Sequence, residues 1–139
     1  MLVENILEAL KILKELQAKK YEEIEKDKIL IGSIVWYLYV AVQGSIDLAL
    51  KVISLLNLRI PESYSDAFKI LEEEDILPRS LVEKLVTMVR FRHVIAHAYA
   101  KIDLRKIYKI LHENLNDIEE YIRCLKERLK SRGIDITKL

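Results

Sequence analysis

The sequence predicts an all-α protein, an up-down bundle of four long helices with one short helix inserted. Three observations carry this. Apolar residues recur at spacings of three and four along most of the chain, the period of an amphipathic helix. Nowhere do they alternate with polar residues as in a half-buried strand. The 139 residues include only three glycines and two prolines, which leaves little material for turns. With 51% hydrophobic and 32% charged residues the chain is not disordered. A domain of about 150 residues hides roughly 68–70% of its unfolded-chain surface, so residues 1–139 are read as one domain that buries a core without metals or disulfides.

The first helix is expected over residues 3–26, where Ile6, Leu10, Leu13 and Ile24 form one apolar stripe between Glu and Lys. Its charge-rich end, Lys19 to Lys28, reads as a solvated face and turn. Ile29 to Ile46 then runs for 18 residues without a charge, long enough to raise a membrane span. Gly32, Ser33, Gln43, Gly44 and Ser45 within it, Asp47 just after it, and the lack of a second such segment argue instead for the central helix of a bundle, continuing to about Leu56. Gln43 and Asp47 lie four apart on one face of that helix, and an aspartate in so apolar a setting needs a partner, since an unpaired buried charge is costly.

Asn57 to Glu62 breaks the pattern, with Pro61 forcing extended geometry on the residue before it. Ser63, three residues before Asp66, is the expected N-terminal cap of a short helix carrying Ala67, Phe68, Ile70 and Leu71. The run Glu72 to Asp75 reads as solvated surface, and Ile76-Leu77-Pro78 as a turn. Ser80 with Glu83 has capping-box spacing and is expected to open a helix reaching about Tyr99. Asp103 is expected to cap one long final helix, with Leu104, Ile107, Leu111, Leu115, Ile118, Ile122, Leu125 and Leu129 on its stripe and Gly133 as its stop. His112 falls off that stripe and is expected to be exposed.

One cysteine, Cys124, forms no internal disulfide, and Met-Leu-Val-Glu-Asn at the start lacks the basic region of a signal peptide, so a cytoplasmic setting is expected. A formal net charge of +1 gives no general attraction to a polyanion. Charge is local instead. From Arg79 to Lys109, the cations Arg79, Lys84, Arg90, Arg92, Lys101, Arg105, Lys106 and Lys109 face only Glu83 and Asp103, eight against two.

The same segment holds the reactive side chains. Leu81, Leu85, Met88, Arg92, Ile95 and Tyr99 make one stripe, so Arg92 stands where an apolar neighbour is expected. His93 interrupts the adjacent row Val82, Val86, Val89, Ala96 in the same way. Polar groups at such positions carry a desolvation cost unless partnered, and places where local rules fail are often functional. Arg92 and His97, five residues apart, sit about 140° apart around a regular helix and so share no face. With Phe91, Val94 and Ala98 the third face also turns apolar, which calls for a covering surface. A homodimer with this helix near the two-fold axis supplies it and brings both pairs into one cleft. His93 and His97, four apart, have metal-ligand spacing, but no acidic residue or third ligand accompanies them, and no metal or cofactor is expected. Cys124 has no neighbour to lower its pKa and is a poor nucleophile.

The run Phe91-Arg92-His93-Val94-Ile95-Ala96-His97-Ala98-Tyr99 resembles the Arg-x4-His-x-Tyr signature of HEPN-domain proteins, specifically the HepT-like toxins of toxin–antitoxin pairs. The likeness extends to Val42-Gln43 through Ile46-Asp47, to Pro61 through Leu71, and to the leucine-rich final helix, most of the chain. It implies a helical homodimer that cleaves RNA without a metal. Arg92 would hold the scissile phosphate and His97 would act as general acid or base; Asp47, Gln43 and His93 are read beside them as supporting residues. It also implies a nucleotidyltransferase antitoxin as partner, which adds AMP to Tyr99. The residue after the arginine is often Asn in that family and is His93 here. The competing reading is a non-catalytic helical module that docks a nucleotidyltransferase or a nucleotide.

Overall fold

A computed structural model describes residues 1–97, 101 and 103–139. Its elements are α1 (Leu2–Leu16), α2 (Tyr21–Glu25), α3 (Lys28–Leu55), α4 (Tyr64–Glu73), α5 (Arg79–Ala96), α6 (Leu104–Glu113), α7 (Leu115–Lys130) and a closing 3-10 turn (Ile136–Lys138). Among the described residues there is no strand, and the all-α class holds.

α3 is the axis of the structure, packing against α1, α2, α4, α5, α6 and α7. By length and hydropathy it also suits a membrane span, yet its inward face is the centre of the bundle: Ile34, Leu38, Ala41, Val42, Ile46, Leu48, Ala49 and Val52 are all buried. Its closest neighbour is α1, and Gly44 permits the approach. A Cβ there would stand 2.7 Å from Ile6 Cγ1, inside van der Waals contact. α7 is tied to the same helix by Tyr121, fully buried, whose hydroxyl donates to the Ser45 carbonyl at 2.9 Å and whose ring meets Phe68 of α4 edge-on.

Four expected boundaries move, the first being that α5, expected to reach about Tyr99, ends at Ala96 with His97 as its C-cap. The stretch 3–26 is two helices, because the chain leaves α-geometry after Gln17 and Lys20 is extended. Gln17 donates from its side-chain amide to the Leu111 carbonyl at 2.8 Å, and α2 turns to bury Ile24. The final helix divides at Asn114 into α6 and α7, yet Ile107, Leu111, Leu115, Ile118, Ile122, Leu125 and Leu129 stay buried across the break. The stripe survives because both segments face one core. His112 is exposed as expected, but its ring nitrogens lie 2.9 Å and 3.1 Å from the carbonyls of Tyr108 and Gln17 and so link α6 to α1. Lastly, Pro78 rather than Ser80 caps α5: its extended backbone presents a carbonyl to the amides of Leu81 and Val82, and no side-chain cap is made.

The other caps are as read. Ser63 Oγ accepts from the Asp66 amide at 3.0 Å, and Asp103 Oδ1 from the Lys106 amide at 3.2 Å. After α3 and α4 the chain turns through Asn57 and Asp75 at positive φ, with the amides of Leu58 and Ile76 returning to the carbonyls of Ile53 and Leu71. These closures satisfy the carbonyls at the two helix ends, and Glu72 to Asp75 remain on the surface between them.

Candidate functional site

The site is built where α5 crosses α3 and the first turn of α4. Along α5, Leu81, Leu85, Met88 and Ile95 are buried as the stripe predicts, and Arg92 sits half-buried among them. Its desolvation is offset from α3: Arg92 Nε donates to Gln43 Oε1 at 2.7 Å. Gln43 in turn donates from Nε2 to Asp47 Oδ1 at 2.9 Å. The amide orientation is dictated chemically, because a guanidinium only donates and a carboxylate only accepts.

Asp47 therefore reaches Arg92 through Gln43. Among the described residues no carboxylate forms an ion pair with Arg92, and nothing accepts from its terminal nitrogens. An arginine held at Nε whose terminal amino groups have no acceptor among the described residues is able to receive a planar, two-pronged oxyanion such as a phosphate.

His97 follows the last turn of α5. Its backbone amide donates to the His93 carbonyl at 3.1 Å, and its ring lies 4.3 Å from the ring of His93, both exposed. Arg92 and His97 thus lie at the same end of one helix, the first braced in the bundle and the second on its surface. Among the described residues no group of three or more His, Cys, Asp and Glu side chains is placed to hold a metal ion. Tyr99 lies outside the described residues, as do Ala98 and Ala100. Cys124 is far along α7, and burial, then Glu120, pushes its thiol pKa up, away from nucleophilic character.

One contact at the site has no counterpart in the sequence reading. Tyr64, the first residue of α4, places its ring 5.4 Å from Arg92 Cζ, within cation–π range. No spacing rule relates residues 64 and 92, and a tyrosine at a helix start carries no signal of its own. The basic stretch is also less uniform than its sequence suggests. A groove of about 470 Å³ between α4 and α5 sets Lys69, Arg79 and Arg90 beside Glu72, Glu73 and Glu83.

Next to the end of α5 lies an apolar surface. Gly32, Val35, Trp36 and Tyr39 of α3 meet Ile95 and Ala96 around a shallow depression of about 390 Å³. Trp36 is 58% exposed, and Ile29, farther toward the start of α3, 83%.

Comparison with known proteins adds the following. A family model described as Ribonuclease HepT-like matches residues 6–125. The mRNA nuclease HepT of Shewanella oneidensis is 26% identical over 104 residues, 75% of this chain and 78% of that protein. A tri-AMPylated HEPN toxin of S. oneidensis, solved in complex with its MNT antitoxin, superposes with a TM-score of 0.79 at 23% identity, covering 91% of this chain and 94% of that one. A toxin–antitoxin structure containing AMP-PNP gives 0.80 at 22% identity, over 91% and 95% of the two chains. The cytosolic protein YutE of Bacillus subtilis shares the fold at 15% identity, with a TM-score of 0.74 over 91% and 90%.

Proposed function

The chain belongs to the ribonuclease HepT-like family, and from that membership we propose that it is a toxin whose Arg92 and His97 cleave RNA at a cleft between two copies, without a metal. The observation that carries this reading is the bracing of Arg92: a half-buried cation held through Nε by Gln43, with its terminal nitrogens unpartnered among the described residues, five residues before His97. In the reaction the RNA 2′-oxygen bonds to the adjacent phosphorus while the bond from phosphorus to the 5′-oxygen breaks. With two copies sharing the cleft, one imidazole takes the 2′-hydroxyl proton and the other protonates the leaving 5′-oxygen. Arg92 stabilises the charge that gathers on the non-bridging oxygens between these events. His93, whose ring lies 4.3 Å from that of His97 and is tilted to it by 52°, supports its placement.

The apolar depression between α3 and the end of α5 supports dimerisation, because the exposed Trp36, with the half-buried Tyr39 and Ala96 beside it, offers an apolar surface that a second copy can cover. The relatives solved with an antitoxin support a nucleotidyltransferase partner for this chain as well. Its reaction would join the Tyr99 oxygen to the α-phosphorus of ATP and release pyrophosphate, leaving bulk and negative charge close to where the RNA phosphate binds. Such a pair works in the cytoplasm, where both ATP and RNA are found.

The test is direct. Purified chain, with a chelator present, is expected to cut single-stranded RNA, and His97→Ala to lower the rate by about 10²–10⁴-fold while the dimer remains folded. Unchanged cleavage in that variant would remove His97 from the chemistry. Co-expression with a nucleotidyltransferase antitoxin is expected to add AMP to Tyr99, read by intact mass and peptide mapping.

A further inference from the structure

Tyr64 stands outside the Arg-x4-His-x-Tyr run, and its place in the site comes from the fold alone. Its backbone is tied down by contacts on either side. Ser63 caps the helix, and Asp66 accepts both terminal nitrogens of Arg59 at 2.8 Å and 2.9 Å and the Glu62 amide at 3.0 Å. Arg59 also reaches Glu73 at 2.8 Å, so one guanidinium spans the first and last turns of α4. Phe68, four residues on, is anchored in the core against Tyr121. The result of this framework is a ring, 39% exposed, aimed at Arg92.

Arg92 is thereby restrained in two independent ways. The bond to Gln43 fixes Nε but still permits the guanidinium plane to rock about it. An aromatic ring 5.4 Å from Cζ opposes that rocking through the attraction between cation and π-face. We infer that Tyr64 is a positioning residue of the ribonuclease site, holding the Arg92 guanidinium with its ring so that the terminal nitrogens meet the phosphate in one fixed plane. This rests on the proposed role of Arg92. The ring and not the hydroxyl does the work, since no described group hydrogen-bonds the Tyr64 hydroxyl and the contact is made by the ring.

The experiment compares Tyr64→Phe and Tyr64→Leu in the full-length chain, alone and combined with Arg92→Lys, measuring kcat and KM on single-stranded RNA. Tyr64→Phe is expected to retain most of the rate. Tyr64→Leu is expected to lower kcat by about 2- to 30-fold with little change in KM, the range of a cation–π contact. Added to Arg92→Lys it is expected to cost much less, because its effect passes through the guanidinium. Equal losses in the Phe and Leu variants would assign the role to the hydroxyl and overturn the inference. So would a Tyr64→Leu loss of the same factor in both backgrounds, which would mark an independent contact with RNA.

A readout without RNA separates this from the ribonuclease reading. The Arg92 Nε–Hε resonance, identified by its loss in Arg92→Lys, is expected to shift in Tyr64→Leu and to hold in Tyr64→Phe. A wild-type chain that cuts no RNA sinks the ribonuclease reading, whereas an Arg92 resonance indifferent to Tyr64→Leu sinks the restraint itself.

Discussion

Tyr121 reaches from α7 to the Ser45 carbonyl of α3, a buried hydrogen bond of 2.9 Å that ends two residues past Gln43. Ser45 itself turns inward, its hydroxyl donating to the Ala41 carbonyl at 2.7 Å. Tyr121→Phe removes one neutral hydrogen bond and leaves the ring packed on Phe68, so urea denaturation is expected to show a loss of about 1 kcal/mol. Burial raises the Tyr121 hydroxyl well above the usual phenol range. A folded-state pKa raised in this way contributes stability below the unfolded value, near 10, that is lost as pH climbs through the folded one. The alkaline unfolding of the wild type is therefore expected to carry a phenolate absorbance step that Tyr121→Phe lacks.

Gln43→Met keeps the length of the side chain and deletes the acceptor for Arg92 Nε. RNA cleavage is expected to fall about tenfold or more, in line with the loss of a hydrogen bond to a charged group. Because Gln43 is only half-buried, its melting temperature is expected to stay close to that of the wild type. Asp47→Asn, which allows the Gln43 amide to turn either way, is expected to show a smaller loss of rate.

Arg59 holds the Asp66 carboxyl at a pKa of about 2, chiefly through its hydrogen bonds, with help from the Glu62 amide. Glu73 is lowered by the same guanidinium. A depressed carboxylate pKa contributes stability above the unfolded value, near 3.8, that fades as pH falls toward the folded one. The dependence of stability on pH is thus expected to be steeper below about pH 4 in the wild type than in Arg59→Gln. Carboxyl chemical shifts followed through an acid titration check the assignment to Asp66.

Trp36→Asp places a charge on the apolar surface beside the end of α5. Light scattering at micromolar concentration is expected to find a dimer for the wild type and a monomer for this variant, with RNA cleavage lost alongside. A wild-type monomer that still cuts RNA would put the whole site within one chain.

The long apolar stripes made most of this fold legible. Ile6, Leu10 and Leu13, then Leu81, Leu85 and Met88, then Ile107 through Leu129, are buried as their spacing predicts. Breaks inside a stripe were not legible: residues on both sides of Asn114 face the same core, so the period continues while the helix does not. The Ser80–Glu83 pattern misled because α5 starts at Arg79 with Pro78 as its N-cap, which places Ser80 inside the first turn, where its side chain makes no cap. At the site, Arg92 announced itself as a cation on an apolar stripe, and Gln43 and Asp47 as polar groups on one face of an apolar helix. Their connection through Gln43, and the approach of Tyr64, depend on how α3, α4 and α5 cross, which no local spacing encodes.

The bond from Tyr121 to Ser45 also sets an order in time. Gln43, Tyr64 and Arg92 all precede Tyr121 in the chain. Until α7 arrives, α3 and α4 lack the ring that packs between them and the hydroxyl that fixes Ser45. A product truncated before α7 carries every residue of the proposed site without the helix that holds α3 in register. On the proposed function, the braced site is therefore expected to be complete only once α7 has packed against α3 and α4.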